Sequence, residues 1–428
     1  MIQNHADPEV LQASELTELD AASARLEDDA LTFLRNFIRC PTISGEEGCA
    51  QPFLTDWMRR VDWEFDVQSL KETTAAAEGT LCDVDRLDQR QNIIAWPLAR
   101  TGKPIVVING HVDVVPPGDL SAWSTAPFAA THRGGHTIGR GAVDTKGGIT
   151  AAVFALEALR RSRAELPFDV ALVLVAGEET SGVGTQASFE IIPQPSRAIV
   201  LEPTGGAASP VSTGLLFLTI EVAGLSAHTS APWRGQDAFV HLVRIHDALS
   251  ELAGERARRF RTPFYQHVPS AVPFTMGTVR AGTWRAAVPD HATMSGRWGI
   301  APGEDPSAVR DEIEALVHRA DQSAGWERPS KITWERTITG WATDSSDPLV
   351  LSIDTAISAV AGTSRLIGLT AGSDAAQYGE RSIPTVVFGP GEMAMAHSPD
   401  EALADSDLFT ASKVLTRTLI GLARRWTI

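Results

Sequence analysis

Between Gly110 and Glu202 the chain presents His111, Asp113, Asp144, Glu178, Glu179 and Glu202, each beside glycines or at the end of an apolar run. His397 follows near the C-terminus in Met395-Ala396-His397-Ser398-Pro399-Asp400-Glu401. Two imidazoles and several carboxylates, with no thiolate among them, suit hard or borderline divalent cations. The chemistry this points to is metal-dependent hydrolysis.

Residues i and i+2 lie on one side of an extended chain. His111 can therefore ligate a metal while Asp113 takes its other ring N–H and fixes the tautomer. Asp144 sits in Gly139-Arg140-Gly141-Ala142-Val143-Asp144-Thr145-Lys146-Gly147-Gly148, where glycines let the backbone pass close to a site. Its two oxygens can bridge two ions, or it can cap the following helix. A phosphate loop is a third reading, but neither GxxxxGK[ST] nor GxGxxG occurs there. Of Glu178 and Glu179, one can ligate and the other serve as general base. Glu202 ends the next apolar run, and His228 lies in Gly224-Leu225-Ser226-Ala227-His228-Thr229-Ser230. Taken singly, each of these residues is more often structural; their joint occurrence carries the reading.

The elements that must hold them read as follows. Leu26, Leu31, Leu34, Phe37 and Ile38 recur at helical spacing and predict one helix over Asp20 to Arg39, stopped by Pro41. Strands are expected at 91–96, 104–109, 168–176, 197–201 and 382–388, most of them continuous apolar runs of the kind buried on both faces. Helices are expected at 147–166, 348–361 and 404–426. The alternation predicts an α/β domain with a largely parallel central sheet flanked by helices, and ligands beyond the carboxyl ends of its strands. From about Thr213 the pattern changes to strands at 216–222, 292–298 and 331–338 with helices at 236–252 and 306–320, an inserted α+β unit. The expected division is 1–212 with 341–428 as a catalytic domain and 213–340 as a lid or dimerisation domain. Lys71 to Gln89 reads as an exposed excursion.

At 428 residues two domains are expected. A net charge of −16 argues against nucleic acid or an anionic membrane surface as partner. Cys40, Cys49 and Cys82 form no CxxC and support neither a disulfide framework nor a thiolate zinc site. The polar, acidic stretch from Met1 to Asp20 shows no signal-peptide pattern, and no apolar run has membrane-spanning length. A cytoplasmic location is the expectation.

Together these segments resemble the M20 family of metallopeptidases and deacylases, which includes glutamate carboxypeptidases, aminoacylases, acetylornithine deacetylases and succinyl-diaminopimelate desuccinylases. The resemblance runs from Phe37-Ile38-Arg39-Cys40-Pro41-Thr42-Ile43-Ser44 through Gly110-His111-Val112-Asp113-Val114-Val115-Pro116, Gly139 to Gly148, Glu178-Glu179, Glu202 and the His228 segment to Gly372-Ser373-Asp374-Ala375 and His397. It implies two divalent ions (zinc first, manganese or cobalt as alternatives) bridged by Asp144. His111 and Glu202 would complete one site, and Glu179 and His397 the other. Glu178 would be the general base and later the proton donor. His228 would stabilise the oxyanion, reaching the other subunit's site in a lid-to-lid homodimer.

Two departures bear on substrate. Ala286 stands where family members acting on amino-acid derivatives often carry Asn, in Trp284-Arg285-Ala286-Ala287-Val288-Pro289. Gly299 stands where they often carry a carboxylate-binding Arg, with Arg297 two residues earlier on the same strand face. Trp233, Arg234, Trp284, Arg285, Arg297 and Trp298 make this part aromatic and basic; Trp233, Trp284, Arg234 and Arg297 are the candidate substrate contacts, suited to a flat acid. The leading expectation is hydrolysis of a C–N bond in a small carboxylated molecule, by deacylation or peptide cleavage. The alternatives are hydrolytic deamination of an electron-poor aromatic amine such as nitroanthranilate, and a non-catalytic metal-binding homologue. Serine or cysteine hydrolysis is disfavoured, because no G-x-S-x-G and no Cys near a matched His motif occur.

Overall fold

A computed structural model describes residues 13–72, 87–363 and 365–426. The residues about Cys82, the first twelve residues, and most of the 71–89 excursion lie outside that description. The chain divides into two compact units, one of residues 1–210, 343–366 and 373–428 and one of residues 211–342 and 367–372.

In the first unit, Asp169–Val175 is buried along its whole length. Its sequence, Asp-Val-Ala-Leu-Val-Leu-Val, is the near-continuous apolar run of a strand covered on both faces. Ile105–His111 pairs with it in parallel, then with Arg197–Val200, which pairs in parallel with Thr385–Phe388. These four strands therefore end on one edge of the sheet. The pairings outside them are antiparallel: Glu64–Ser69 with Gln91–Trp96, Gln91–Trp96 with Asp169–Val175, and Thr385–Phe388 with Ala208–Ser212. The sheet is thus mixed, with parallel pairing confined to its centre, where crossover connections such as the helix Lys146–Arg161 return the chain to the starting edge. That helix is buried on nearly every face, between the sheet and the helices Glu27–Ile38 and Asp405–Arg424. Its Ala-rich middle is what permits such close approach.

The single helix expected over Asp20 to Arg39 is two, Ala13–Ala24 and Glu27–Ile38. The break falls where Glu27, Asp28 and Asp29 supply the acidic first turn that favours a new helix N-terminus.

The second unit is a four-stranded antiparallel sheet in the order Phe274–Ala281, His291–Ile300, Gly214–Ala223, Lys331–Ile338. The helices Ala238–Arg259 and Pro306–Ser323 bury its Leu216, Leu218, Ile220 and Val222, one face of an alternating strand. Trp298 is only 1% exposed in this core, so it is a packing residue and not a substrate contact. Phe274–Ala281 carries no sequence signal because it is an edge strand exposed along most of its length.

Leu172 lies fully buried between Ile108 and Ala95 on the neighbouring strands. Leu172→Ala is expected to cost about 2–5 kcal/mol, read as a lower denaturant midpoint; an unchanged midpoint would mean this strand lies outside the cooperative core.

Candidate metal centre

The common edge of the four parallel strands collects the chemistry. His111 is the last residue of its strand and is buried. Glu178 and Glu179 follow Asp169–Val175, Glu202 follows Arg197–Val200, and His397 lies beyond Thr385–Phe388 at φ 60°. Asp144 lies in the loop before Lys146–Arg161, and its peptide bond to Thr145 is cis. The helix begins after Thr145 with no side-chain cap, so capping does not occupy the Asp144 carboxylate.

Ligand atoms of His111, Asp144 and Glu202 lie within 4.8 Å of one another, and so do those of Asp144, Glu179 and His397. Asp144 belongs to both groups and offers each a different oxygen. His111 Nε2 is 3.1 Å from Oδ1, and His397 Nε2 is 3.2 Å from Oδ2. His397 Nε2 is also 3.2 Å from Glu179. Ligand atoms about 2.0–2.1 Å from a tetrahedrally held zinc stand about 3.3 Å apart, so these spacings fit a small divalent cation in each group.

The electrostatics also call for cations. Burial, reinforced by Asp374, Glu179 and Asp113, pushes the Glu178 carboxyl well above 4.5, against the pull of His111. Burial and then Asp144 do the same to Glu202. Burial raises Glu179, although His397 opposes it. Burial also works against ionised Asp144, but His111 and His397 outweigh it and hold it below 3.8. His397 is raised to about 10 by Asp144 and then Glu179. Burial alone would depress His111, yet Asp113 and Asp144 carry it well above 6.5. Two histidines thus do the neutralising that divalent cations would do better. Among the described residues the Glu178 carboxylate makes no hydrogen bond or ion pair, which leaves it available as a base.

Asp113 does more than face His111. The His111 Nδ1 lies 2.9 Å from the Asp113 backbone carbonyl and 3.6 Å from its carboxylate. That carboxylate accepts the backbone N–H groups of Gly177, Glu178 and Glu179 at 2.9, 3.1 and 3.2 Å, and the Ser44 hydroxyl at 2.8 Å. It therefore ties the two-glutamate turn to the histidine strand. Behind this turn, the buried Arg90 donates to Glu47 at 2.7 Å, and Thr185 links Asn109 to Asp374. Lys146, buried and lowered to about 8 by desolvation, donates to the carbonyls of Phe37 and Cys40. Sequence reasoning missed Ser44, Arg90, Glu47, Thr185 and Lys146 as supports; only the Asp-Thr-Lys-Gly-Gly run hinted at the last.

Within the second unit, one exposed corner gathers several candidates. The His228 segment pairs with the 284–288 turn: His228 bridges Ala287, Thr229 N–H donates to the Ala286 carbonyl, and Val288 N–H to that of Ala227. His228, Trp233, Arg234, Trp284 and Arg285 are exposed there, with the Arg285 guanidinium 6.0 Å from the Trp284 ring centre. The Ser230 backbone N–H donates to His228 Nδ1 at 3.1 Å. The Ser230 hydroxyl lies 2.7 Å from the same nitrogen, so an Nδ1 that accepts from Ser230 leaves the proton of the neutral ring on Nε2. Arg297 is elsewhere on the sheet. Its Nη2 donates to the Thr370 carbonyl at 2.7 Å, while its buried Nε has no partner among the described residues.

Peptidase family M20/M25/M40 matches residues 107–421. The chain belongs to this family. It is a hydrolase acting on amide or peptide C–N bonds. It is 29% identical over 345 residues to a Staphylococcus epidermidis protein described as "Probable succinyl-diaminopimelate desuccinylase", covering 73% of this chain and 82% of that protein. A succinyl-diaminopimelate desuccinylase of Delftia acidovorans is 28% identical over 338 residues, 76% and 83% of the two chains. The fold matches a tripeptidase of Staphylococcus aureus with TM-score 0.72 at 16% identity, over 94% and 99% of the chains. It also matches a Bacillus subtilis protein described as a dinuclear metal binding peptidase from the M20 family, with TM-score 0.65 at 17% identity, over 93% and 98%. No helix of the described residues is long and apolar enough to cross a membrane.

Asp113→Ala leaves three backbone N–H groups without their acceptor and frees the two-glutamate turn. It is expected to lower metal retention or kcat about 10–100-fold, read by metal content after dialysis against a chelator and by steady-state kinetics. Wild-type values for both would remove Asp113 from the site.

Proposed function

We propose that this M20 protein hydrolyses an amide bond in a small carboxylated substrate, by deacylation or peptide cleavage, at a centre of two divalent ions. The observation that carries this is the placing of the two Asp144 oxygens against two different histidines. The desuccinylase relatives and the dinuclear peptidase neighbour support it. His111, Asp144 and Glu202 are assigned to one ion, and Asp144, Glu179 and His397 to the other. The N/O donor set suits zinc, with manganese or cobalt as alternatives. When bound, such ions acidify a water and polarise the scissile carbonyl.

The chain's own groups do the rest. Glu178, uncommitted and of raised pKa, takes the proton of the attacking water and returns it to the leaving nitrogen. Asp113 holds that carboxylate in place through the backbone of its turn. The Nε2–H of His228 is assigned to the oxygen on which charge gathers, in the other subunit of a homodimer. Arg297, a half-buried cation without a carboxylate partner among the described residues, is assigned to the substrate carboxylate. Residues 213–340 are proposed as the lid on the catalytic part, 1–212 with 341–428. A cytoplasmic location is proposed with this reading.

A second reading, deamination of an electron-poor aromatic amine, is favoured by one observation: Trp233 and Trp284, 78% and 66% exposed, stand in the same corner as His228 and Arg285. One assay separates the two. The protein is stripped of metal, reloaded with zinc, manganese or cobalt, and offered N-acyl amino acids, di- and tripeptides, and aminobenzoates. Release of free amino groups from acyl or peptide substrates is expected; ammonia from an aminobenzoate alone would replace the first reading by the second. Glu178→Gln is expected to lose about 10²–10⁴-fold in kcat with metal content unchanged. Retained activity would sink the base assignment and full loss of metal would make Glu178 a ligand.

The homodimer is supported by the open edge of Phe274–Ala281, with Val279 exposed, and by Phe239, Val240 and Val243 exposed on the helix packed beside it. Val279→Asp combined with Val243→Asp should yield a monomer by light scattering. A dimeric double variant places the interface elsewhere, and a monomeric wild type ends the proposal.

A further inference from the structure

The Asp144 loop and the His397 segment are joined by one buried ion pair. The side chains of Arg140 and Glu401 are 2% and 0% exposed, with Nη1 and Oε2 2.7 Å apart. Every lone-pair direction of the Glu401 carboxylate is used on the Asp144 loop. Oε1 accepts the N–H of Val143 at 2.8 Å and of Asp144 itself at 3.1 Å; Oε2 accepts the N–H of Gly141 at 3.0 Å together with Arg140. The Glu401 carbonyl accepts Gly139 N–H. In the other direction, Arg140 donates from Nη2 to the His397 carbonyl at 3.3 Å and from Nη1 to that of Ser398 at 3.2 Å.

The two ligand groups differ in how they are held. His111 and Glu202 are buried at strand ends, so the sheet positions them. His397 has a side chain 51% exposed and sits in no strand or helix. Its backbone carbonyl is held by Arg140.

The geometry points to Glu401 and Arg140 as positioning residues that set the separation of Asp144 and His397, and so govern retention of the ion assigned to Asp144, Glu179 and His397. This rests on the two-ion reading above. Glu401→Gln keeps the shape but turns an –NH2 toward Gly141 N–H and Arg140, donor against donor. Arg140→Lys keeps the charge but cannot reach Glu401 and both carbonyls with one planar fork.

The test loads full-length wild type and both variants with cobalt(II), dialyses them against graded dipicolinate, and counts ions per chain while following the cobalt absorption. Wild type is expected to release its ions in two steps. In both variants the first ion should leave at least tenfold below the wild-type chelator concentration, with the second step, which shares only Asp144, moved much less. If Glu401→Gln fails to fold, Arg140→Lys carries the same test. Two unmoved steps overturn the positioning role. An equal shift of both steps also overturns it, since that is general loosening. A wild type that never holds a second ion sinks the two-ion reading and this inference with it.

Discussion

Mutual repulsion among carboxylates dominates this structure. Asp113, Asp144, Glu178, Glu179 and Glu202 converge on one edge of one sheet, mostly buried, where like charges cannot all stay ionised without compensation. The chain answers with two kinds of positive charge. One is the pair of histidines against Asp144. The other is partial charge from the backbone: three N–H groups on Asp113 and three on Glu401. Fixed peptide dipoles compensate an acid without adding a side chain to the cavity, so the space between the ligands stays available to a cation.

That division of labour explains the shape of the loops. Asp113 gathers the N–H groups of the two-glutamate turn, and Glu401 gathers those of the Asp144 loop. Gly147 opens the helix after Asp144 where an added Cβ would overlap the Ala142 carbonyl oxygen. The loop and helix therefore meet at backbone contact distance, and Asp144 has little room to drift.

Much of this was legible in the sequence where a single residue type at a strand end is the signal. His111, Glu178, Glu179 and Glu202 each follow a continuous apolar run, and such runs are buried parallel strands whose ends share an edge. Their gathering on that edge follows from topology. The supports were not legible. Arg140 reads as one more basic residue in a glycine-rich loop, and Glu401 as a surface acid after a proline, because neither shows its partner locally. The edge strand Phe274–Ala281 escaped for the opposite reason: with neither face deeply buried it has no hydropathy period to show. The break between the first two helices was hidden in an unbroken helical spacing, although three acids in a row marked it.

Arg140 and Glu401 are 261 positions apart. During synthesis, all five acids of the cluster leave the ribosome long before Glu401 does. Until then the N–H groups of the Asp144 loop and the Arg140 guanidinium lack the Glu401 carboxylate. Closure of the Asp144 loop thus waits on a segment made long after the strands that carry His111, Glu178, Glu179 and Glu202. A chain halted before that point would carry His111, the two glutamates and Glu202 on their strands without the segment that closes the Asp144 loop.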